Sequence, residues 1–233
     1  LICSFVTSPA LHTSAASTVY LGFTSDVHGK TDHLNSWLTL LENKGISLSS
    51  LTFGGDYADT YSTENMQSVM NTVASHSSIK KAIYTMGNHE YRGDGNEDSF
   101  TSLTGCTRTG VKVSTSTYAI YTLGAASSDQ SFNTSDISAL KTWLAQTSTK
   151  KTVFLVSHYP LHYSGSSHQA RYTKNANKMI TLLNKYKNVV FLWGHNHTIK
   201  DSNYGTAKKS GATIKYSSSG SKKIKFTYAS MGC

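Results

Sequence analysis

Cysteine and proline are scarce in this chain. Of 233 residues, three are Cys (Cys3, Cys106 and Cys233) and two are Pro. Three thiols make neither a disulfide framework nor a thiolate metal cluster. If Cys3 leaves with an export signal, Cys106 and Cys233 either pair or stay as two unpaired thiols. With 38% hydrophobic residues and so little proline, the composition is not that of a disordered chain. Long apolar runs are also missing. A membrane helix needs about 20 such residues, whereas "VVFLW" and "VFLV" are strand-sized, so no transmembrane segment is expected.

Arginine is the other shortage. The formal charge is +9, from 22 Lys and Arg against 13 Asp and Glu, and only three of those cations are Arg. An excess of this size suits anionic partners, phosphorylated substrates among them. The lysines are scattered or paired, without the Arg stripe or aromatic interleaving of a nucleic-acid groove. They read as a solvated face, and nucleic-acid binding is not expected.

Residues 1–18, "LICSFVTSPALHTSAAST", run from apolar to small, and "SAAS" resembles a signal-peptidase site. The stretch is read as a signal-peptide remnant or an N-terminal extension, followed by one catalytic domain over 19–233. Low charge, 15% of residues, together with frequent Ser, Thr, Asn and Tyr, fits an extracellular or cell-surface protein, with a cytoplasmic one as the alternative.

What is present is an alternation of strand and helix patterns. "VYLGFT" (Val19 to Thr24) reads as a strand, and Leu34, Trp37, Leu38 and Leu41 then fall at helical spacing before Gly45. "LTFGG" is the next strand, followed by a helix from Thr63 to about His76. "AIYTM" follows; Ser135 is then expected to cap a helix carrying Ile137, Leu140 and Leu144. "TVFLVS", a helix with Met179, Ile180, Leu183 and Tyr186, and "VVFLW" complete the series. This order predicts an α/β layered fold. "ATIKYS" and "KKIKFTYAS" read as a terminal antiparallel hairpin. The Gly-, Thr- and Asn-rich segment from Glu90 to Ser116 reads as a long irregular excursion facing substrate.

The strand ends carry the chemistry. They read "SDVHG", "GGDYAD", "GNHE", "SHYP" and "GHNH", delivering Asp26, His28, Asp56, Asp59, Asn88, His89, His158, His195 and His197. Any one ending is ordinary turn chemistry. In an α/β sheet, however, ligands sit outside the carboxyl ends of strands, so five endings of this composition converge on one metal site.

The ordered blocks D-x-H, G-D-x-x-D, G-N-H-E, H and G-H-x-H resemble the calcineurin-like metallophosphoesterases, from about Val19 to Thr198. The resemblance implies a two-sheet β-sandwich flanked by helices, an α/β/β/α four-layer fold, with a dinuclear metal centre at one end. It implies that Asp56 bridges the ions, that Asp26, His28 and His197 complete one, and that Asn88, His158 and His195 complete the other. Two divalent cations held this way ionise a water between them to a hydroxide that attacks phosphorus in line. His89 matches the leaving-group acid, with Asp59 to orient and charge it. Mixed His, Asn and carboxylate ligation suits Mn, Fe, Zn or Ni. The implied activity is hydrolysis of phosphate esters, with a non-catalytic metal- and phosphate-ligand-binding member of the same fold as the alternative.

Two departures narrow the resemblance. Thr60 stands where the family's protein phosphatases carry a phosphate-gripping Arg, which weakens the case for a phosphoprotein substrate. Asp59 stands where purple acid phosphatases carry an iron-binding tyrosine, and Tyr57 lies too early to replace it. Arg92, Arg171 and His162 are the candidate substitutes for phosphate contact. A β-lactamase-type metal hydrolase would need H-x-H-x-D-H, which is absent from the chain.

Overall fold

The computed structural model describes residues 18–164, 172–198 and 201–232. Two sheets lie face to face. The smaller is parallel, in the order β1 (Tyr20–Thr24), β2 (Leu48–Phe53), β3 (Ala82–Ile83). The larger has six strands: β4 (Thr109–Ser114), β5 (Tyr118–Leu123), β6 (Thr152–Ser157), β7 (Val189–Trp193), β8 (Ala207–Lys208) and β11 (Thr227–Ser230). Its order is β4-β5-β6-β7-β11-β8, parallel from β5 to β11 with an antiparallel strand at each edge.

Strand alternation builds the layers. Phe154 and Val156 of β6 and Val190 and Leu192 of β7 point inward, to meet Leu21, Phe23 and Ile83 of the smaller sheet. Their neighbours Val153, Leu155, Val189 and Phe191 point outward, under the helices α4 (Thr134–Gln146) and α5 (Ala176–Leu183). A strand buried on both faces has no polar side, which is why these segments read as unbroken apolar runs. On the far side, α1 (Thr31–Asn43) and α2 (Thr63–Ala74) lay Leu34, Leu38, Leu41, Met66 and Val69 on the smaller sheet. The result is the four-layer α/β/β/α arrangement the motifs implied.

Three expectations are corrected. The stretch from Glu90 to Ser116 is largely regular: a 3-10 turn (His89–Tyr91), α3 (Glu97–Thr104) and β4. Asn96 and Ser99 form a reciprocal capping box at the start of α3, and one buried aromatic, Phe100, anchors that helix. The N-cap of helix α4 is Asn133, two residues before Ser135, and the helix starts at Thr134. The terminal hairpin is real only for β9 (Thr213–Lys215) and β10 (Ser221–Lys223). The remainder of "KKIKFTYAS" leaves it, and Thr227–Ser230 pairs parallel with β7 in the large sheet. Cys106 is a free, half-buried thiol, while Cys3, Cys233, Arg171 and residues 1–17 lie outside the described residues. Among the described residues no helix is long and apolar enough to cross a membrane.

Candidate metal centre and active site

Every predicted site residue lies on a loop at the carboxyl end of a strand, and the two sheets bring these ends together. Asp26 and His28 follow β1, Asp56 and Asp59 follow β2, and Asn88 and His89 follow β3. From the large sheet, His158 follows β6, and His195 and His197 follow β7. The turns are tight enough to force unusual backbone. Asp26, His28, Asp56 and His195 all have positive φ, between 46° and 68°, a region costly for any residue with a Cβ. Such strain clusters where geometry has been over-determined by its surroundings.

The Asp56 carboxylate is the hub. Its Oδ1 accepts the His89 backbone N–H at 2.9 Å. Its Oδ2 lies 3.3 Å from His158 Nε2, 3.7 Å from His89 Nε2 and 3.9 Å from His28 Nε2. Three groups of potential ligands occur among the described residues, Asp26 with His28 and His197, His28 with Asp59 and His89, and Asp56 with His158 and His195; within each group the ligand atoms lie within 4.8 Å of one another. Asn88 joins the third group, its Oδ1 2.9 Å from His158 Nε2. The first and third groups contain residues that the resemblance assigns to one ion each, whereas the second joins a predicted ligand, His28, to the predicted acid pair Asp59 and His89.

The outward ring nitrogens are spoken for, and that orients the inward ones. His158 Nδ1 donates to the Gly54 carbonyl at 2.9 Å, and His28 Nδ1 donates to Asp59 Oδ1 at 2.8 Å. Each ring therefore turns Nε2 toward the carboxylates, the second-sphere pattern that fixes a metal-binding tautomer. His28 Nε2 is buried and has no hydrogen-bond partner, an expensive condition unless a cation completes it. Gly87 and Gly194 leave no room for a side chain: a Cβ on the first would run into Asp56 and His158, and on the second into Ser25 and Asp26. The donor set and its packing fit divalent metal binding.

Electrostatics points the same way. Burial opposes charge on His158, yet the facing Asp56 carboxylate raises that imidazole to about 9. Asp56 itself, despite its burial, is held well below the ordinary carboxylate range, chiefly by His158. Burial raises Asp26 and, with the nearby His158, depresses His195 to about 3. A buried carboxylate that favours a proton on its neighbour favours a cation there equally.

Over this cluster opens a polar cavity of about 400 Å³, lined by His28, Asp56, Asn88, His89, His195 and His197 and bounded by Arg92, Ser128 and Gln130. A profile of the calcineurin-like phosphoesterases matches residues 20–198 of the chain. The chain belongs to this family. Metal-dependent hydrolysis of phosphoesters is the chemistry that goes with membership. Among solved structures, the phosphopantetheinyl hydrolase PptH from Mycobacterium tuberculosis is similar, with 16% identity, 91% of this chain and 89% of that one covered, and a TM-score of 0.48. The NAD nucleotidase NadN from Haemophilus influenzae is 15% identical, with 81% of this chain and 38% of that one covered, and a TM-score of 0.40. A search of curated proteins returns no match.

Within this phosphoesterase site several side chains sit differently from expectation. The Asp59 carboxylate pairs with His28; it is the Asp59 carbonyl that accepts from His89 Nδ1, at 2.8 Å. Arg92 Nη1 lies 3.1 Å from the same His89 Nδ1. Burial lowers the His89 imidazole against the pull of Asp56, and the Arg92 charge also opposes protonation of that ring. Tyr57 is turned away from the centre and buried, donating to the Thr85 carbonyl at 3.0 Å, and burial raises its phenol well above the ordinary value. It has none of the properties of a tyrosinate ligand.

His162 is no phosphate contact. It is 2% exposed and donates from Nε2 to Asp201 Oδ2 at 2.6 Å, while Tyr228 lies 2.6 Å from Nδ1. Asp201 also accepts from the Asn196 amide at 2.9 Å and from Asn203 twice. Asn196 is the residue between His195 and His197, so this network pins the loop that carries both rings.

Sequence reasoning overlooked Glu90. Its buried carboxylate accepts backbone N–H groups from Asp56 at 2.8 Å, Tyr57 at 2.9 Å and Gly87 at 2.6 Å, tying the loop after β2 to the loop after β3. Burial, then the Asp56 charge, raises it to about 7 against those three donors. The available signal was an acid directly after "GNH", where a solvated turn needs none.

Proposed function

We propose that this chain is a dinuclear metal-dependent hydrolase of phosphate esters, with His89 as the acid for the departing oxygen. The observation that carries the reading is the position of Asp56 Oδ2 among three imidazoles, 3.3 Å from His158 Nε2, 3.7 Å from His89 Nε2 and 3.9 Å from His28 Nε2, within the groups of potential ligands.

Asp26, His28 and His197 would hold one cation, Asn88, His158 and His195 the other, and Asp56 would face both. When bound, the pair would supply Lewis acidity to the phosphoryl oxygens and an ionised water as nucleophile. The chain's own residues do the rest. Asp59 positions two imidazoles at once, His28 through its carboxylate and His89 through its carbonyl. With Nδ1 donating to that carbonyl, a protonated His89 presents its second N–H from Nε2 to the leaving oxygen. Arg92, at the rim of the same cavity, supplies the positive charge that the family's protein phosphatases place after the second aspartate.

The test is hydrolysis of a chromogenic phosphomonoester and a chromogenic phosphodiester by protein loaded with Mn, Fe, Zn or Ni, against protein treated with chelator. Turnover of either ester that needs added metal is expected, with two equivalents bound per chain. Two bound metals without turnover of either ester would identify a metal-holding, non-catalytic member of the family.

A further inference from the structure

The polar cavity over Asp56 is not the only opening onto the ligand cluster. A second cleft of about 600 Å³ adjoins it, and the two share His28, Asp59 and His197 as a common wall. Its character is different. Phe23, Leu34, Trp37 and Met231 line it, and Ser25, Asp26, Lys30 and His33 bring polar atoms to its wall. Phe23, Leu34 and Met231 are buried, while the Trp37 ring, packed against Gly22 of β1, is half-buried. A concave, mostly apolar space of this size is what a drug-sized organic group needs, and a phosphoryl group has no use for it.

Resting on the hydrolase reading above, we propose that this cleft receives the organic part of the ester, so that the substrate is a phosphoester of a bulky, mostly apolar alcohol or phenol. The phosphoryl group occupies the polar cavity at Asp56, Asn88 and His89. The carbon skeleton crosses the rim formed by Asp59 and His197 and lies against Trp37. Continuity with the ligand cluster identifies the occupant, because a group seated here is at most one side chain away from the reacting centre.

The test is a series of n-alkyl phosphates from ethyl to octyl, run as monoesters and as methyl diesters, with phenyl and 1-naphthyl phosphate alongside. Metal-loaded wild-type protein should gain about three- to fourfold in kcat/KM for each methylene that enters the cleft, mainly through KM. A gain confined to naphthyl over phenyl would mark the occupant as aromatic, and a gain confined to the alkyl series as lipid-like. Trp37→Ala should flatten the octyl-to-ethyl ratio. Because that variant also loosens packing, alkyl phosphonates serve as inhibitors of the unmodified protein, and their inhibition constants should fall along the same slope. A flat slope in both series, with ester hydrolysis intact, overturns the cleft assignment and leaves the hydrolase reading standing. Loss of hydrolysis on every ester, with phosphonates still displacing one another by chain length, overturns the hydrolase reading instead.

Discussion

The two sheets bring unlike chemistry to their shared end. From the three-stranded sheet come the site's carboxylates, Asp26, Asp56, Asp59 and Glu90, with Asn88 and two imidazoles. From the six-stranded sheet come His158, His195 and His197 and no acid. The wider sequence follows the same division: after residue 160 there is one acid, Asp201, against eleven Lys and one Arg. Negative charge is thus held on one half of the sandwich, and neutral donors are brought to it by the other. Two of the three candidate ligand groups, Asp26 with His28 and His197 and Asp56 with His158 and His195, draw on both halves, so metal bound there should stabilise the docking of the sheets by mass action.

The largest effect should come from the hub. Asp56→Asn removes the charge facing both proposed cations, and the several kcal/mol that metal charge supplies correspond to a loss of turnover on the order of 10⁴-fold. Elemental analysis should find fewer than two metals per chain, and two metals with near-normal rate would show that the small sheet's acid is not what joins the halves. Chelator should lower the unfolding temperature of wild-type protein and change that of Asp56→Asn much less.

Next is His89, which belongs to the acidic half and is proposed above as an acid and not as a ligand. His89→Ala should keep both metals and slow esters with poor leaving groups by on the order of 10²–10⁴-fold. The defect should shrink on nitrophenyl esters, whose leaving group departs readily as an anion. A lost metal, or an equal defect on every ester, would reassign His89 to the ligand set. Asp59→Asn tests the observed pairing: it alters the partner of His28 but keeps the carbonyl that holds His89, so it should weaken metal binding more than leaving-group dependence.

A smaller change is expected at Glu90. Glu90→Gln sets an amide against three backbone donors, and an unsatisfied buried donor costs about 1–3 kcal/mol. Its raised carboxyl gives a pH signature in metal-free protein. A group raised in the fold stabilises fully below its unfolded value of 4.5 and loses that contribution as pH rises through about 7. Urea titrations of the apo-protein at pH 4.5 and pH 8 should show this loss in wild type, and the difference should be smaller in Glu90→Gln.

The smallest effect concerns the histidine-bearing half. Asp201→Asn loosens the grip on Asn196 and should weaken metal binding by about tenfold, measured by calorimetry. His162 holds Asp201 below the ordinary carboxylate range in spite of burial. Its stabilisation is therefore present above pH 4 and disappears as the pH falls through the depressed value, a slope the variant should lack. Unaltered metal affinity would confine the network to packing.

Much of this was legible because strand ends repeat one grammar. Buried strands announce themselves as apolar runs, and a glycine followed by acid, amide or imidazole marks where each run stops. The segments that escaped notice lack that contrast. Strand β4 has no fully buried residue, and α3 is held by a cap and a single Phe, so neither carries a strong apolar period. Partner choice was harder still. That Asp59 would reach His28 instead of His89 depends on backbone turned to positive φ at His28, which no side-chain pattern encodes. His162 looked available because a lone imidazole gives no sign that Asp201, far along the chain, will claim it.

The left-handed backbone at Asp26, His28, Asp56 and His195 has a consequence for how such a chain ages. Glycine would occupy each position with less strain, by about 1–2 kcal/mol, so every one of these residues is a standing invitation to mutation. For the two aspartates the exchange takes a single base change. What opposes the exchange at the aspartates is the backbone N–H that each carboxylate accepts, from His89 at Asp56 and from His195 at Asp26, so the strain persists only as long as those bonds hold it.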